Sequence, residues 1–311
     1  MNTIYDSLQW KEIPVTAHAA ARHIGLHCGE AGSAGTRATL IAGTHGDEGP
    51  WSALAIKMLC QQPVTKLKGR LRVIFTANAL AAEVERRNSW IDSPNSIDLD
   101  GVFPGNKDGS HTDRLAAAIA PLIADSDAVI DMHGGGTWCI NAFVKRFEGS
   151  EQLAADLGAP FISNAPNKPG GLTTYARSQG IKVVNVEVGG RSGREMVWVE
   201  RNTKGLERAL HNLGVLALDP APAPAEKAID VGKTEAMRAK VGGIFVPTLR
   251  EDAVGTIVPA GTEMGKMLDL HTLAELQVFT APYERTAMML MRPQICTIEG
   301  SALVYVVAKP M

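Results

Sequence analysis

The stretch Ala38-Thr39-Leu40-Ile41-Ala42-Gly43-Thr44-His45-Gly46-Asp47-Glu48 decides how this chain folds. An apolar run stops abruptly at Gly-Thr, as a strand buried on both faces does. Leu54, Met58 and Leu59 then recur at helical spacing through 51–61, so strand, turn and helix follow one another. Outward from this unit, 71–76, 128–133 and 183–188 read as further strands, and 114–123 and 200–213 as helices. Strands alternating with helices predict an α/β fold: a mixed, mostly parallel sheet with helices on both faces.

The sequence Leu218-Asp219-Pro220-Ala221-Pro222-Ala223-Pro224-Ala225-Glu226 has the composition of a semi-rigid spacer. It divides the chain into an expected catalytic domain over 1–217, a Pro/Ala linker over 218–228 and a C-terminal domain over 229–311. The last piece has short β-rich runs at 242–247, 255–261 and 301–307 and no long helical pattern, so a small all-β barrel or sandwich is expected there.

Composition narrows the function. The 311 residues carry 31 Lys and Arg against 33 Asp and Glu, a formal charge of −2. Without basic excess or polybasic runs, nucleic acid and anionic membranes are not expected partners. The apolar run 115–130 is broken by Pro121, Asp125 and Asp127 and falls short of the ~20 residues a membrane span needs. The four cysteines are far apart, which argues against a Cys-based zinc site or a disulfide framework. The N-terminus lacks the pattern of a secretory signal, so a cytoplasmic location is expected.

Open α/β sheets bind ligands at the C-terminal ends of their strands. Those ends carry His45 and Glu48, then His133, then Glu187. Two imidazoles, one carboxylate and room for water make up the donor set of a catalytic zinc site. A single strand-end histidine is more often structural, but two together with a turn carboxylate favour a metal. Glu187 is placed to act as general acid and base on the water and the leaving nitrogen, although a strand-end glutamate can also be simply salt-bridged. The other six histidines, at 18, 23, 27, 111, 211 and 271, have no such setting and read as surface or core.

Four segments in order, Gly43-Thr-His-Gly-Asp-Glu-Gly49, Asp98-Leu-Asp-Gly-Val-Phe-Pro-Gly105, Asp131-Met-His-Gly134 and Val186-Glu-Val-Gly-Gly190, resemble the succinylglutamate desuccinylase/aspartoacylase family, relatives of the zinc carboxypeptidases. The resemblance implies a zinc carboxypeptidase-like fold with a C-terminal β domain similar to lipoyl carriers. It implies one zinc ion on His45, Glu48 and His133, with Glu187 as base. It further implies an oxyanion-binding arginine, with Arg87 the best fit and Arg86 next. The family usually has Asn-Arg where this chain has Asp100-Gly101, and that arginine commonly grips a substrate carboxylate. Its loss removes a contact worth about 1.5–3 kcal/mol. Either another arginine (Arg146, Arg191 or Arg194) replaces it, or the substrate is neutral or cationic beside Asp100.

The expected activity is therefore zinc-dependent deacylation of a small N-acylated amine or amino acid, in a chain that could form homo-oligomers. A metallocarboxypeptidase acting on short peptides and a non-catalytic binding protein with a decayed site are the alternatives. Gly232-Lys233-Thr234 lacks the first glycine of a phosphate-binding loop, and 189–193 misses both dinucleotide and nucleophile-elbow spacing. No Met-Lys pair at a hairpin tip is present for lipoate or biotin.

Overall fold

The computed structural model describes residues 2–17, 23–92 and 95–311. His18 lies outside them. Up to the linker the elements are α1 (Ile4–Ser7), β1 (Gln9–Ala17), β2 (His23–Ala31), β3 (Arg37–Ala42), α2 (Gly49–Leu59), β4 (Arg70–Ile74), α3 (Ala79–Ala82), α4 (His111–Ala124), β5 (Ala128–His133), β6 (Ile140–Arg146), α5 (Glu151–Asp156), β7 (Phe161–Asn164), α6 (Leu172–Ser178), β8 (Lys182–Gly190) and α7 (Glu195–Asn212). After it come β9 (Ile229–Arg238), β10 (Gly243–Pro247), β11 (Ile257–Pro259), β12 (Glu263–Leu268), β13 (Glu275–Thr280), β14 (Arg285–Met291), β15 (Cys296–Ile298) and β16 (Leu303–Pro310).

One sheet runs in the order β1-β2-β4-β3-β5-β8-β6-β7-β9-β16-β14-β11. Parallel pairing joins β3 to β4 and to β5, β5 to β8, and β6 to β7. Antiparallel pairing joins β1 to β2, β2 to β4, and β6 to β8. The sheet is thus mixed and not mostly parallel: β4, β3, β5 and β8 are parallel, the β8–β6 pairing at mid-sheet is antiparallel, and β6, β7 and β9 are parallel again. Two of the antiparallel pairings involve β2, and neither β1 nor β2 alternates apolar and polar residues cleanly enough to read as a strand.

Consecutive residues of the central strands feed opposite cores, as the two-residue strand period requires. Leu40, Ile130 and Val184 pack with Ala55, Ile56 and Leu59 of α2 and with Leu206, Ala209 and Leu210 of α7. Their neighbours Ile41, Val129 and Val183 pack with Leu115, Ile119 and Ile123 of α4 and with Leu172 and Ala176 of α6. Both faces of the sheet are therefore covered, which explains the continuous apolar runs of β3, β5 and β8.

The sheet itself crosses the expected boundary at 218–228. β9 pairs in parallel with β7, and β14 pairs with β6 through Leu290–Asn141 and Met291–Ile140. A second sheet, β13-β12-β10-β15, lies beyond. Phe245, Phe279 and Tyr305 fill this region with edge-to-face ring contacts at 5.7–6.0 Å, the geometry that aromatic quadrupoles favour. Among the described residues no helix is long and apolar enough to cross a membrane, and all four cysteines are free.

Candidate metal centre and cleft

β3 ends at Ala42, and Gly43 turns the chain with φ of +67°, a left-handed conformation that glycine adopts without penalty. The loop that follows carries His45, and Glu48 stands at the N-terminus of α2, where the helix dipole favours a carboxylate. His133 is the last residue of β5 and is level with Glu187 across the β5–β8 pairing. His45 and His133 are only 3% and 2% exposed.

The two imidazoles point the same kind of atom at one another. His45 Nδ1 lies 3.2 Å from His133 Nδ1, 3.1 Å from Glu48 Oε1, and His133 Nδ1 lies 2.9 Å from Glu48 Oε2. The opposite ring nitrogens meet carboxylates: His45 Nε2 lies 3.0 Å from Asp98 Oδ1 and His133 Nε2 2.9 Å from Asp131 Oδ2. An Nε2–H held by a carboxylate leaves Nδ1 as the lone-pair donor, the usual arrangement of metal-binding histidines. Donor atoms of His45, Glu48 and His133 all lie within 4.8 Å of one another. Two nitrogens and one carboxylate oxygen fit zinc in both type and number.

Electrostatics point the same way. Burial pushes both histidines towards neutrality, yet the carboxylates around them raise their pKa, that of His133 well above the usual value. Burial also opposes ionisation of Glu48, but the two histidines hold its pKa well below the usual range. Asp98 is likewise held down against burial by His45, Arg87 and Lys168. The cavity thus carries a surplus of negative charge that takes up positive charge, whether protons or a metal cation.

Arg87 bridges two of these groups, with its guanidinium 3.0 Å from Glu48 Oε1 and 3.2 Å from Asp98 Oδ2. Glu187 is held on both oxygens, by Lys145 Nζ at 2.7 Å and Asn141 Nδ2 at 2.9 Å. A cleft of about 340 Å³ is walled by Glu48, Arg87, Gly134, Trp138, Asn141 and Glu187, and Leu290 of β14 contributes to it from the C-terminal segment.

Other expected site residues lie elsewhere. Arg86 is exposed and does not line the cleft. Arg191 pairs with Glu85 at 2.8 Å on the surface. Arg146 is engaged by Asn164 and Asp230, and Arg194 faces Glu251 at 3.9 Å. Asp100 does not present a bare charge: its Oδ2 meets Lys168 Nζ at 3.0 Å and its Oδ1 accepts the Leu172 N–H at 2.8 Å. Outside the metal-centre cluster, His111 bonds Thr16 and the ring of His211 accepts the Leu218 N–H.

Sequence reading assigned no role to Asp98, Asp131, Asn141, Lys145 and Lys168. Asp131 had a usable signal, since residues two apart on a strand share a face with His133. Asp98 comes from 53 residues beyond His45, and only the fold joins them.

The covered α/β sheet thus carries a buried His-Glu-His cluster beside its central strands, a candidate metal centre. Residues 34–213 match the model of the succinylglutamate desuccinylase/aspartoacylase catalytic domain, and the chain belongs to that family. Among solved structures it is similar to a succinylglutamate desuccinylase from Silicibacter sp. TM1040 (TM-score 0.81, 19% identity, covering 97% of this chain and 95% of that one). A succinylglutamate desuccinylase/aspartoacylase from Rhodobacter sphaeroides gives a TM-score of 0.81 at 21% identity, with coverage of 98% and 95%. The product-bound ectoine utilization protein EutE from Ruegeria pomeroyi gives 0.82 at 20% identity, with coverage of 97% and 95%. No curated protein matches the sequence.

Proposed function

We propose that the chain is a zinc-dependent amidohydrolase that removes the acyl group from a small N-acylated amine or amino acid. The observation that carries this reading is the convergence of two Nδ1 atoms and the Glu48 carboxylate beside a cleft that also contains Glu187. Family membership supports hydrolysis of an amide bond.

His45, Glu48 and His133 would hold the metal, which supplies Lewis acidity and a water whose pKa is lowered to about 7. Asp98 and Asp131 keep both imidazoles in the required tautomer. Glu187 takes the proton of the attacking water and returns it to the departing nitrogen, which would otherwise leave as an unstable anion. Arg87, anchored on Glu48 and Asp98, directs its charge into the cleft, where negative charge grows on the carbonyl oxygen. The expected domain roles follow: 1–217 supplies the chemistry, and 229–311 shapes the cleft wall through Leu290.

A panel of N-acyl amino acids, N-acyl amines and dipeptides, assayed with zinc restored, tests the proposal. Release of free amine from an N-acyl compound, with dipeptides spared, is the expected result. Cleavage confined to dipeptides would establish a peptidase, and no cleavage with zinc bound would remove the enzymatic reading.

A further inference from the structure

Glu187 is held by groups that a simple strand pattern delivers to it. β6 and β8 run antiparallel with Phe143 opposite Glu187, Lys145 opposite Asn185 and Asn141 opposite Gly189. Residues 141, 143 and 145 share one face of β6, so Asn141 and Lys145 are the two diagonal neighbours of Glu187. Both reach it: the Lys145 ammonium donates to Oε1 at 2.7 Å and the Asn141 amide to Oε2 at 2.9 Å. The Asn141 amide is itself tied to the Gly134 carbonyl at 3.2 Å, one residue beyond His133. Two donors on two different oxygens fix both the plane and the tilt of a carboxylate, and the charged one is the stronger.

Lys145 is well placed to keep that hold. Its ammonium lies 5.9 Å from the centre of the Phe143 ring. Burial works against its charge, but Glu187 more than offsets this and keeps its pKa above the usual lysine value. Of the lysines and arginines lining the cleft or the adjoining cavity beside Asp100, only Lys145 contacts Glu187; Arg87 and Lys168 are engaged by other carboxylates.

We infer that Lys145 is a positioning residue for the general base, fixing the Glu187 carboxylate so that proton transfer, and not substrate binding, depends on it. The inference rests on the assignment of Glu187 as base in the proposed deacylation. A base displaced by about 1 Å can cost on the order of 10²-fold in rate while leaving binding intact.

The test uses the zinc-loaded full chain and the N-acyl substrate found active in the panel. Lys145→Met should lower kcat at least ~10-fold with KM within about twofold and zinc content unchanged. Lys145→Arg, which keeps a cationic donor, should recover most of the loss. In a Glu187→Gln background the Met change should cause no further fall in residual turnover, because its effect passes through Glu187. Lys145→Gln, neutral but polar, repeats the measurement should the Met variant fail to fold. Unchanged kcat, or a raised KM with kcat retained, would overturn the inference. An inactive wild-type chain would instead overturn the functional reading on which it rests.

Discussion

His45 Nδ1 and His133 Nδ1 stand 3.2 Å apart in a cavity that also holds the Glu48 carboxylate. Two facing nitrogen lone pairs repel, so ring nitrogens this close in a buried site share either a proton or a cation. The ring atoms on the far side are taken by Asp98 and Asp131, so the pair is pre-set to offer lone pairs to a cation.

The first prediction concerns that pre-setting. Asp131 is fully buried and also accepts from Asn185 at 3.3 Å. Asp131→Asn should weaken zinc binding about 10–100-fold, because the His133 ring loses the partner that fixes its tautomer. Competition with a chelator of known affinity measures this. Unchanged affinity would show that Asp131 does not orient the ligand.

The second concerns the loop that carries two of the three donors. A Cβ on Gly46 would overlap the backbone of Ala81 and Ala82. Gly46→Ala must therefore push the His45–Glu48 turn away from α3. A destabilisation of about 1–3 kcal/mol is expected from the overpacking, with loss of zinc affinity in the same variant. Thermal unfolding with and without zinc reads both effects.

The third is a pH effect distant from the site. Glu30 on β2 accepts from Arg72 Nε at 2.7 Å and pairs with Lys11 at 2.9 Å. Burial raises its pKa, but these two cations outweigh burial and the net shift is downward from 4.5. A depressed folded-state value means the contribution is fully present above the unfolded pKa and is lost as pH falls through the folded one. Glu30→Gln should therefore cost about 1–2 kcal/mol at pH 7, and the gap to wild type should close below pH 4.5. Denaturant melts across pH 3–7 provide the check. A gap that persists unchanged to the lowest pH would contradict it.

The parts of this architecture that the sequence revealed share a physical cause. β3, β5 and β8 are buried on both faces and read as unbroken apolar runs, and α2, α4 and α7 present apolar stripes to the sheet. β1, β2, β6 and β7 were invisible for the opposite reason. They lie nearer the flanks or run antiparallel, where polar residues interrupt the pattern and tertiary pairing decides the conformation. The candidate site divides along the same line. His45 and Glu48 follow the end of β3, His133 closes β5 and Glu187 lies within β8, so all four sit on legible strands or on the turn after one. Lys145 and Asn141 gain their meaning only once β6 lies against β8, which no local pattern announces. Lys168 approaches Asp98 and Asp100 from about 70 residues downstream and pairs with both carboxylates.

The most direct test of the account is a paired measurement on Glu187→Gln: zinc content and turnover of an N-acyl substrate in the same preparation. The variant keeps the side-chain size and leaves His45, Glu48 and His133 untouched. The account predicts one zinc per chain, as in the wild type, with turnover reduced by at least ~10²–10⁴-fold. Wild-type turnover in a zinc-loaded Glu187→Gln protein would contradict it.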